Sequence, residues 1–591
     1  MRSRRCGVVK TDDPMYRPIP WMLSARAKLQ KLFRIAEWQT TLLWAIVAGV
    51  LGALATELFR LALHSLDTAL LGQGNGMVAL ARSLPPWARI LTPACGGLIA
   101  GLLLEVARRT TVQKATSDYM EAIVLGDGRI PAAQTLARSA SSLASIASGG
   151  SIGREGSMVQ LSALCTSLLG RCFKFPGDRL RLLVACGAAA GLTAAYNAPI
   201  AGAFFVAEIV LGSIAMESVG PIIVAAVVAN IVMRALPGYQ PVYQMPFFPD
   251  VAGFEVLLFA LLGVLLGGSA ALFLRGLRAS RAAFGKLRIA TPWRLALGGL
   301  VVGLISVPMP EVWGNGYSVV NSVLRENWPW QLMVAVLAAK ALATLATSGS
   351  GAVGGVFTPA LFFGCLIGAL FGSAAQALLP GATAPPFAYA IVGMGAFLAG
   401  ATQAPLMAIL MIFEMTLNYQ VMLPLMASSV VAYFVARSAD AGSMYEITVK
   451  RREQQTERLR LRTLHVRDLI EPAQTVVQPG TSQAEMGRLF LQHPVKYVYV
   501  VDAQSLYLGV VPLKSLTTAS GTPGLEARTA GDLLTQDITP IAADMDLGQA
   551  LQRFLAHRGE RLPVVESLDH PVLLGVVAKS RLLTTYVRLS E

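Results

Sequence analysis

Ser148-Gly149-Gly150-Ser151-Ile152-Gly153-Arg154-Glu155-Gly156-Ser157 decides the reading of this chain, because it sets an arginine and a glutamate between glycines inside a long apolar region. An isolated ion in hydrocarbon costs on the order of tens of kcal/mol by Born reasoning. An intramembrane carboxylate is therefore a functional candidate with a partner to be found. The flanking glycines predict that the chain breaks here before a helix begins, leaving backbone N–H groups without intrahelical acceptors. Such a helix start attracts anions.

The surroundings of this stretch are those of a bilayer protein. Of 591 residues, 54% are hydrophobic and only 14% charged, and the mean hydropathy is +0.55, which excludes an ordinary soluble enzyme. A span needs about 20 apolar residues. Residues 41–63, 89–107, 217–235, 254–275, 330–347 and 419–437 supply candidates, while other apolar segments are short or broken. The net charge of +14 does not point to nucleic acid, since the basic residues cluster beside membrane segments. Arg2, Arg4, Arg5, Lys10, Arg17, Arg26, Lys28, Lys31 and Arg34 precede the first span, and Lys450, Arg451, Arg452, Arg458, Arg460 and Arg462 come after the last. By the positive-inside rule both termini are expected in the cytoplasm. Five of the six cysteines lie in or beside apolar segments, so no disulfide framework is expected. The first apolar run begins only near Thr40, so no cleavable leader is expected either.

A second glycine-rich break, Ser348-Gly349-Ser350-Gly351-Ala352-Val353-Gly354-Gly355-Val356-Phe357-Thr358-Pro359, answers the first in the other half of the apolar region. Paired interruptions in two halves point to a repeat-built transporter with its site where the repeats meet. Lys340, eight residues earlier, either raises the local potential for anions or pairs with a carboxylate. Thr116-Ser117-Asp118-Tyr119-Met120-Glu121 offers a polar helix start, with Ser117 of N-cap type. Asn197-Ala198-Pro199 interrupts another apolar region, and Glu208 lies on the helix it starts, either as a buried structural carboxylate or in a transport role. Gly442-Ser443-Met444-Tyr445 opens a last helix, where a tyrosine is ordinarily an interfacial anchor.

From about Leu464 the composition turns to that of a soluble α/β region, and it repeats internally. Asp468-Leu469-Ile470 returns as Asp532-Leu533-Leu534, and Gly509-Val510-Val511 as Gly575-Val576-Val577. Each unit predicts a helix (484–492; 547–557) followed by short apolar strands (497–501 and 509–511; 562–565 and 575–577). The domains are therefore a basic lead-in at 1–37, a transmembrane domain at 38–450, a helical linker at 451–463, and two modules at 464–520 and 528–588.

These motifs resemble the chloride channel and chloride/proton exchanger family, in a bacterial subgroup, followed by a pair of CBS (cystathionine-beta-synthase-type) modules. Gly153-Arg154-Glu155-Gly156-Ser157 resembles the family's G-(K/R)-E-G-P motif, Gly355-Val356-Phe357-Thr358-Pro359 its G-x-F-x-P motif, and Tyr445 its pore tyrosine. The family's G-S-G-I-P motif is reduced here to Thr116-Ser117-Asp118-Tyr119-Met120. The missing glycines and proline put its backbone geometry in question, and Asp118 would repel an anion unless turned away or neutralised.

The resemblance implies an all-α polytopic fold of two inverted repeats with broken helices, in a homodimer with one pore per subunit. Helix N-termini would meet at mid-membrane, each worth roughly half a positive charge, with binding kept weak enough for exit. It implies that the Ser117 and Tyr445 hydroxyls and the backbone around Gly153, Arg154, Gly156, Gly355, Val356 and Phe357 line the anion path. Glu155 would be the gate, filling an anion site when ionised and swinging out when protonated. Exchangers in the family carry an inner glutamate that would fall at Ile209, with Glu208 one residue, or about 100° of helix, away. Channel and proton-coupled antiporter thus both stay open, as does fluoride or another small anion in place of chloride. The implied partners are chloride, protons and the lipid of a bacterial inner membrane. The CBS-type pair would bind adenosine nucleotide, although Lys514-Ser515-Leu516 and Ser580-Arg581-Leu582 stand where a ribose-holding acid is expected. An intramembrane hydrolase built on Ser348 or Ser350 lacks a base, since four of the five histidines lie in the soluble region.

Overall fold

A backbone out of reach of water has to pair with itself, so apolar segments at membrane depth fold as helices and break only where protein covers the break. The computed structural model describes residues 37–71, 76–110, 118–212, 216–237, 241–439, 442–445, 465–493, 495–519, 528–557 and 559–590. Contacts divide the chain into two units, Met1–Val449 and Lys450–Glu591.

The first half of the membrane unit builds α1 (Glu37–Leu71), α2 (Met77–Ser83), α3 (Pro86–Thr110), α4 (Tyr119–Val124), α5 (Ala132–Ala147), α6 (Glu155–Cys172), α7 (Gly177–Tyr196), α8 (Pro199–Phe204, continuing as a π-helix over Phe205–Leu211) and α9 (Met216–Ala235). The second half builds α10 (Glu255–Lys286), α11 (Thr291–Ser306), α12 (Tyr317–Arg325), α13 (Trp330–Ser350), α14 (Phe357–Leu378), α15 (Pro386–Thr402), α16 (Pro405–Thr416) and α17 (Met422–Ser438). Among the described residues, seven helical segments are long and apolar enough to cross a membrane, and all six spans expected from the sequence are among them. Helix α6 has the length of a span but keeps serines, threonine and Gln160 buried, which places it inside the bundle.

The halves mirror one another at a pair of helix breaks. Helix α7 ends at Asn197 (φ 60°) and α15 at Gln403 (φ 60°), both left-handed, and each is followed by Ala-Pro with the proline in the first turn of the next helix. A carboxylate eleven residues beyond each break then caps the other half. Glu208 accepts from the backbone N–H of Met407 (2.8 Å) and Leu406 (3.4 Å) at the start of α16. Glu414 accepts from those of Ala201 (2.8 Å) and Ile200 (2.9 Å) at the start of α8. Such a cap satisfies orphan amide donors that a bilayer offers no water to satisfy. Elsewhere glycines let helices touch backbone to backbone, as at Gly364 and Gly368 of α14 against Gly393 and Tyr389 of α15.

The second unit holds β1 (Val476–Val477), α18 (Gln483–Gln492), β2 (Tyr497–Val501), β3 (Tyr507–Pro512), α19 (Leu513–Ala519), β4 (Ile541–Ala542), α20 (Leu547–Ala556), β5 (Arg561–Val565), β6 (Leu573–Ala578) and α21 (Lys579–Ser590). Each module is a three-stranded sheet, β1-β2-β3 or β4-β5-β6, with a parallel first pair and an antiparallel second pair. The modules lean on each other through backbone pairs, Val510 with Thr535 and Glu471 with Val576. The strands and helices expected from the internal repeat are all present, with ends that differ by up to two residues. The linker helix expected at 451–463 lies outside the described residues.

Candidate functional site

The two glycine-rich breaks meet. After α5, Gly149 turns the chain with φ 94°, and after α13, Gly351 does so with φ 96°. The freed strands then pair: the Gly153 N–H donates to the Gly355 carbonyl (2.7 Å), and the Gly355 N–H to the Gly153 carbonyl (2.9 Å). A Cβ at Gly153 would collide with the Glu155 carboxylate and lie 3.0 Å from the Gly355 carbonyl oxygen, so only glycine fits this rung. The first break is also tied to α13, where Ser151 bonds Thr344 (3.0 Å) and Thr347 (3.3 Å). Helices α6 and α14 therefore begin side by side, and their first-turn amides converge.

Glu155 is the first residue of α6 and is 3% exposed. Its Oε1 accepts from the Tyr317 hydroxyl (2.8 Å) and from Thr358 Oγ1. Its Oε2 has no hydrogen-bond partner among the described residues. Thr358 Oγ1 in turn accepts from the Tyr196 hydroxyl (2.8 Å) and lies 3.2 Å from the Tyr317 oxygen, so the carboxylate sits on a cluster of hydroxyls. The Arg154 guanidinium lies 5.2 Å from the centre of the Tyr317 ring. A cation over an aromatic face is attracted by the ring's negative face.

The other expected site residues fall around this cluster. Val356 is the N-cap of α14, Gly355 carries the backbone rung, and the Phe357 ring packs against Tyr196 at 5.2 Å between centres. Gly156 stands 3.5 Å from the Gly355 nitrogen, measured from the Cβ it lacks. The Tyr445 ring packs against Phe205 at 5.7 Å between centres. Ser117 lies outside the described residues. The N-cap of α4 is Asp118 rather than Ser117: its carboxylate accepts from the Met120 N–H (3.1 Å). Residues 446–464, with the helix expected after Tyr445, also lie outside the described residues.

Glu208 engages both carboxylate oxygens in capping α16, and Ile209, 1% exposed, occupies the neighbouring position. Of the two roles expected for Lys340, pairing with a carboxylate is not the one its described contacts show. Its Nζ donates to the carbonyls of Val312 (2.8 Å) and Gly314 (2.7 Å), so its partners are backbone oxygens rather than a carboxylate. The Ser350 hydroxyl donates to Thr347 O of its own helix (2.8 Å), the usual sink for a serine at a helix end and no sign of an activated nucleophile. In the second unit, Arg581 pairs with Glu471 at 2.7 Å, and Ser515, next to Lys514, holds the matching place in the other module. These residues do not fit a ribose-holding acid. Tyr317, Thr358 and Tyr196 complete the site without having been expected there from sequence. The signal for the first is the turn Gly314-Asn315-Gly316 immediately before it.

Residues 95–437 match the model of the voltage gated chloride channel family, and residues 530–588 match the CBS domain. A ClcB-like chloride channel protein of Ralstonia nicotianae is 54% identical over 415 residues, 70% of this chain and 97% of that protein. A voltage-gated ClC-type chloride channel, ClcB, of Salmonella dublin is 42% identical over 408 residues, 68% of this chain and 97% of that protein. The solved structure of a slow cyanobacterial Cl⁻/H⁺ antiporter aligns with a TM-score of 0.61 at 28% identity, covering 70% of this chain and 97% of its own.

Proposed function

The chain belongs to the voltage-gated chloride channel family, and from that premise we propose that it carries chloride across a bacterial inner membrane, as a homodimer with both termini cytoplasmic, through a path gated by Glu155. The observation that carries this reading is the seat of the Glu155 carboxylate. It lies at the joined starts of α6 and α14, with one oxygen on two hydroxyl donors and the other unpartnered among the described residues.

A carboxylate is itself an anion, and the amide dipoles that stabilise it there would stabilise chloride in its place. Ionised, Glu155 competes with chloride for those donors. Protonated, it loses that attraction and leaves the amides to the ion. The donors are dipoles rather than a full charge, so the bound ion is held weakly enough to move on. Tyr445 supports the path from the inner side, as a ring and hydroxyl packed on α8.

Reconstituted into liposomes, the protein is expected to pass chloride faster at acid pH, and Glu155→Gln to pass it at a rate independent of pH. Acid activation that persists in Glu155→Gln refutes the gate. Proton coupling is a second reading, favoured by the likeness to the cyanobacterial antiporter. Against it stand the engaged oxygens of Glu208 and the apolar Ile209. The reversal potential under crossed chloride and proton gradients separates the two. Dependence on chloride alone gives a passive pathway, and a shift with the proton gradient gives exchange.

A further inference from the structure

Lys340 sits on α13 with 0% of its surface exposed, yet it touches no residue of the gate among the described contacts. A buried ammonium is expensive unless its donors are used. Here two of them go to the carbonyls of Val312 and Gly314, and the Phe362 ring lies 5.5 Å away. The segment it grips is pinned on its other side by the first break: the Gly314 N–H donates to the Gly149 carbonyl (3.2 Å), and the buried Trp313 ring fills the space where a Cβ on Gly149 would go. Shortly beyond this clamp, after Gly316 turns the chain with φ 91°, Tyr317 begins α12 and gives its hydroxyl to Glu155.

We propose that Tyr317 is the latch that keeps the Glu155 carboxylate seated, and that Lys340 is a positioning residue which holds the latch in register through the 312–316 turn. The proposal rests on the reading of Glu155 as the gate. Its physical content is differential. A hydroxyl that donates to a carboxylate favours the ionised form over the protonated one. Removing that hydroxyl weakens the seat of the ionised carboxylate, so chloride efflux opens at higher pH. Removing the lysine leaves two carbonyls unsatisfied and frees the turn, so the hydroxyl no longer arrives within bonding distance. The titratable and charged groups facing Glu155 are Arg154 beside it, Tyr196 of α7, Tyr243 of the loop before α10, Tyr317 of α12 and Tyr445, with Asp67 of α1 facing Arg154. Of the tyrosines, Tyr317 is the one whose hydroxyl bonds the carboxylate directly among the described residues.

The test is chloride efflux from proteoliposomes of the full chain as a function of pH, for the parent, Tyr317→Phe, Lys340→Met and the double variant, each with and without Glu155→Gln. Tyr317→Phe is expected to move the acid-activation midpoint upward by about 1 pH unit, from the size of a hydrogen bond to a charged acceptor. Lys340→Met should move it in the same direction. The double variant should move it no further than Tyr317→Phe alone, because both act through one hydroxyl. In the Glu155→Gln background no variant should restore a pH dependence. A flat profile for Glu155→Gln together with an unmoved midpoint in Tyr317→Phe overturns the latch and leaves the gate standing. Acid activation that survives Glu155→Gln overturns both. Additive shifts in the double variant remove Lys340 from the proposal. Should Lys340→Met not assemble, Tyr317→Phe, which deletes a single oxygen, decides the latch by itself.

Discussion

At the scale of single residues, the site depends on what is absent as much as on what is present. Gly153 has no side chain because the space is taken by the Glu155 carboxylate on one side and the Gly355 carbonyl on the other. Gly153→Ala is therefore expected to cut chloride efflux by at least tenfold. Overpacking of this kind costs about 1–3 kcal/mol, and here it falls on the rung that aligns both helix starts; efflux at saturating acid pH, normalised to reconstituted protein, checks it. Glu155 could be read from sequence because a charge between glycines at membrane depth is too costly to be incidental. Lys340 could not, since its partners are backbone carbonyls, and every residue supplies one of those. Tyr317 was hidden for a different reason. It opens a nine-residue helix outside both breaks, where an aromatic residue ordinarily marks the membrane surface, and only the tertiary fold carries it to the carboxylate.

At the scale of elements, the breaks themselves were legible and their cross-linking was not. Glycine clusters at 148–156 and 349–355 announce interrupted helices, but a single bridge between Gly153 and Gly355, far apart in sequence, leaves no local pattern. The second pair of breaks was half legible. Asn197-Ala198-Pro199 with Glu208 has its counterpart in Gln403-Ala404-Pro405 with Glu414 at the same spacing, and comparing the two would have exposed the mirrored halves from sequence. Because each carboxylate caps the other half's helix, Glu208→Gln and Glu414→Gln are expected to lower the thermal stability of the detergent-solubilised protein by similar amounts, each equivalent to about 1 kcal/mol. A melting curve for each variant tests this, and a loss confined to one of them would mean that the two caps do not carry equal load.

At the scale of the whole molecule, the expected response to acid differs between the two units. In the soluble unit, burial and the neighbouring Lys579 hold the His557 imidazole below its ordinary value. Hydrogen bonds from Thr529 and Ser580 likewise hold the carboxyls of Asp532 and Glu560 below theirs. The sign is the same for all three. A group with a depressed folded value contributes stability in full above its unfolded value and loses it as the pH falls through the folded one. For His557 that loss starts near the ordinary imidazole value of about 6.5, and for the two carboxyls only below about 4. Amide exchange over α20 and β5 in the full chain, corrected for intrinsic chemistry, should therefore quicken between about pH 6.5 and 5. His557→Gln should flatten that response without touching the acid activation of chloride efflux.

The paired amides of Gly153 and Gly355 carry one more implication, for the manner of transport. A motion that parted them inside the protein would leave two amides and two carbonyls without these partners, each buried group costing about 1–3 kcal/mol. The pairing thus joins the two glycine breaks through backbone alone, so any motion that parts them has to break both hydrogen bonds.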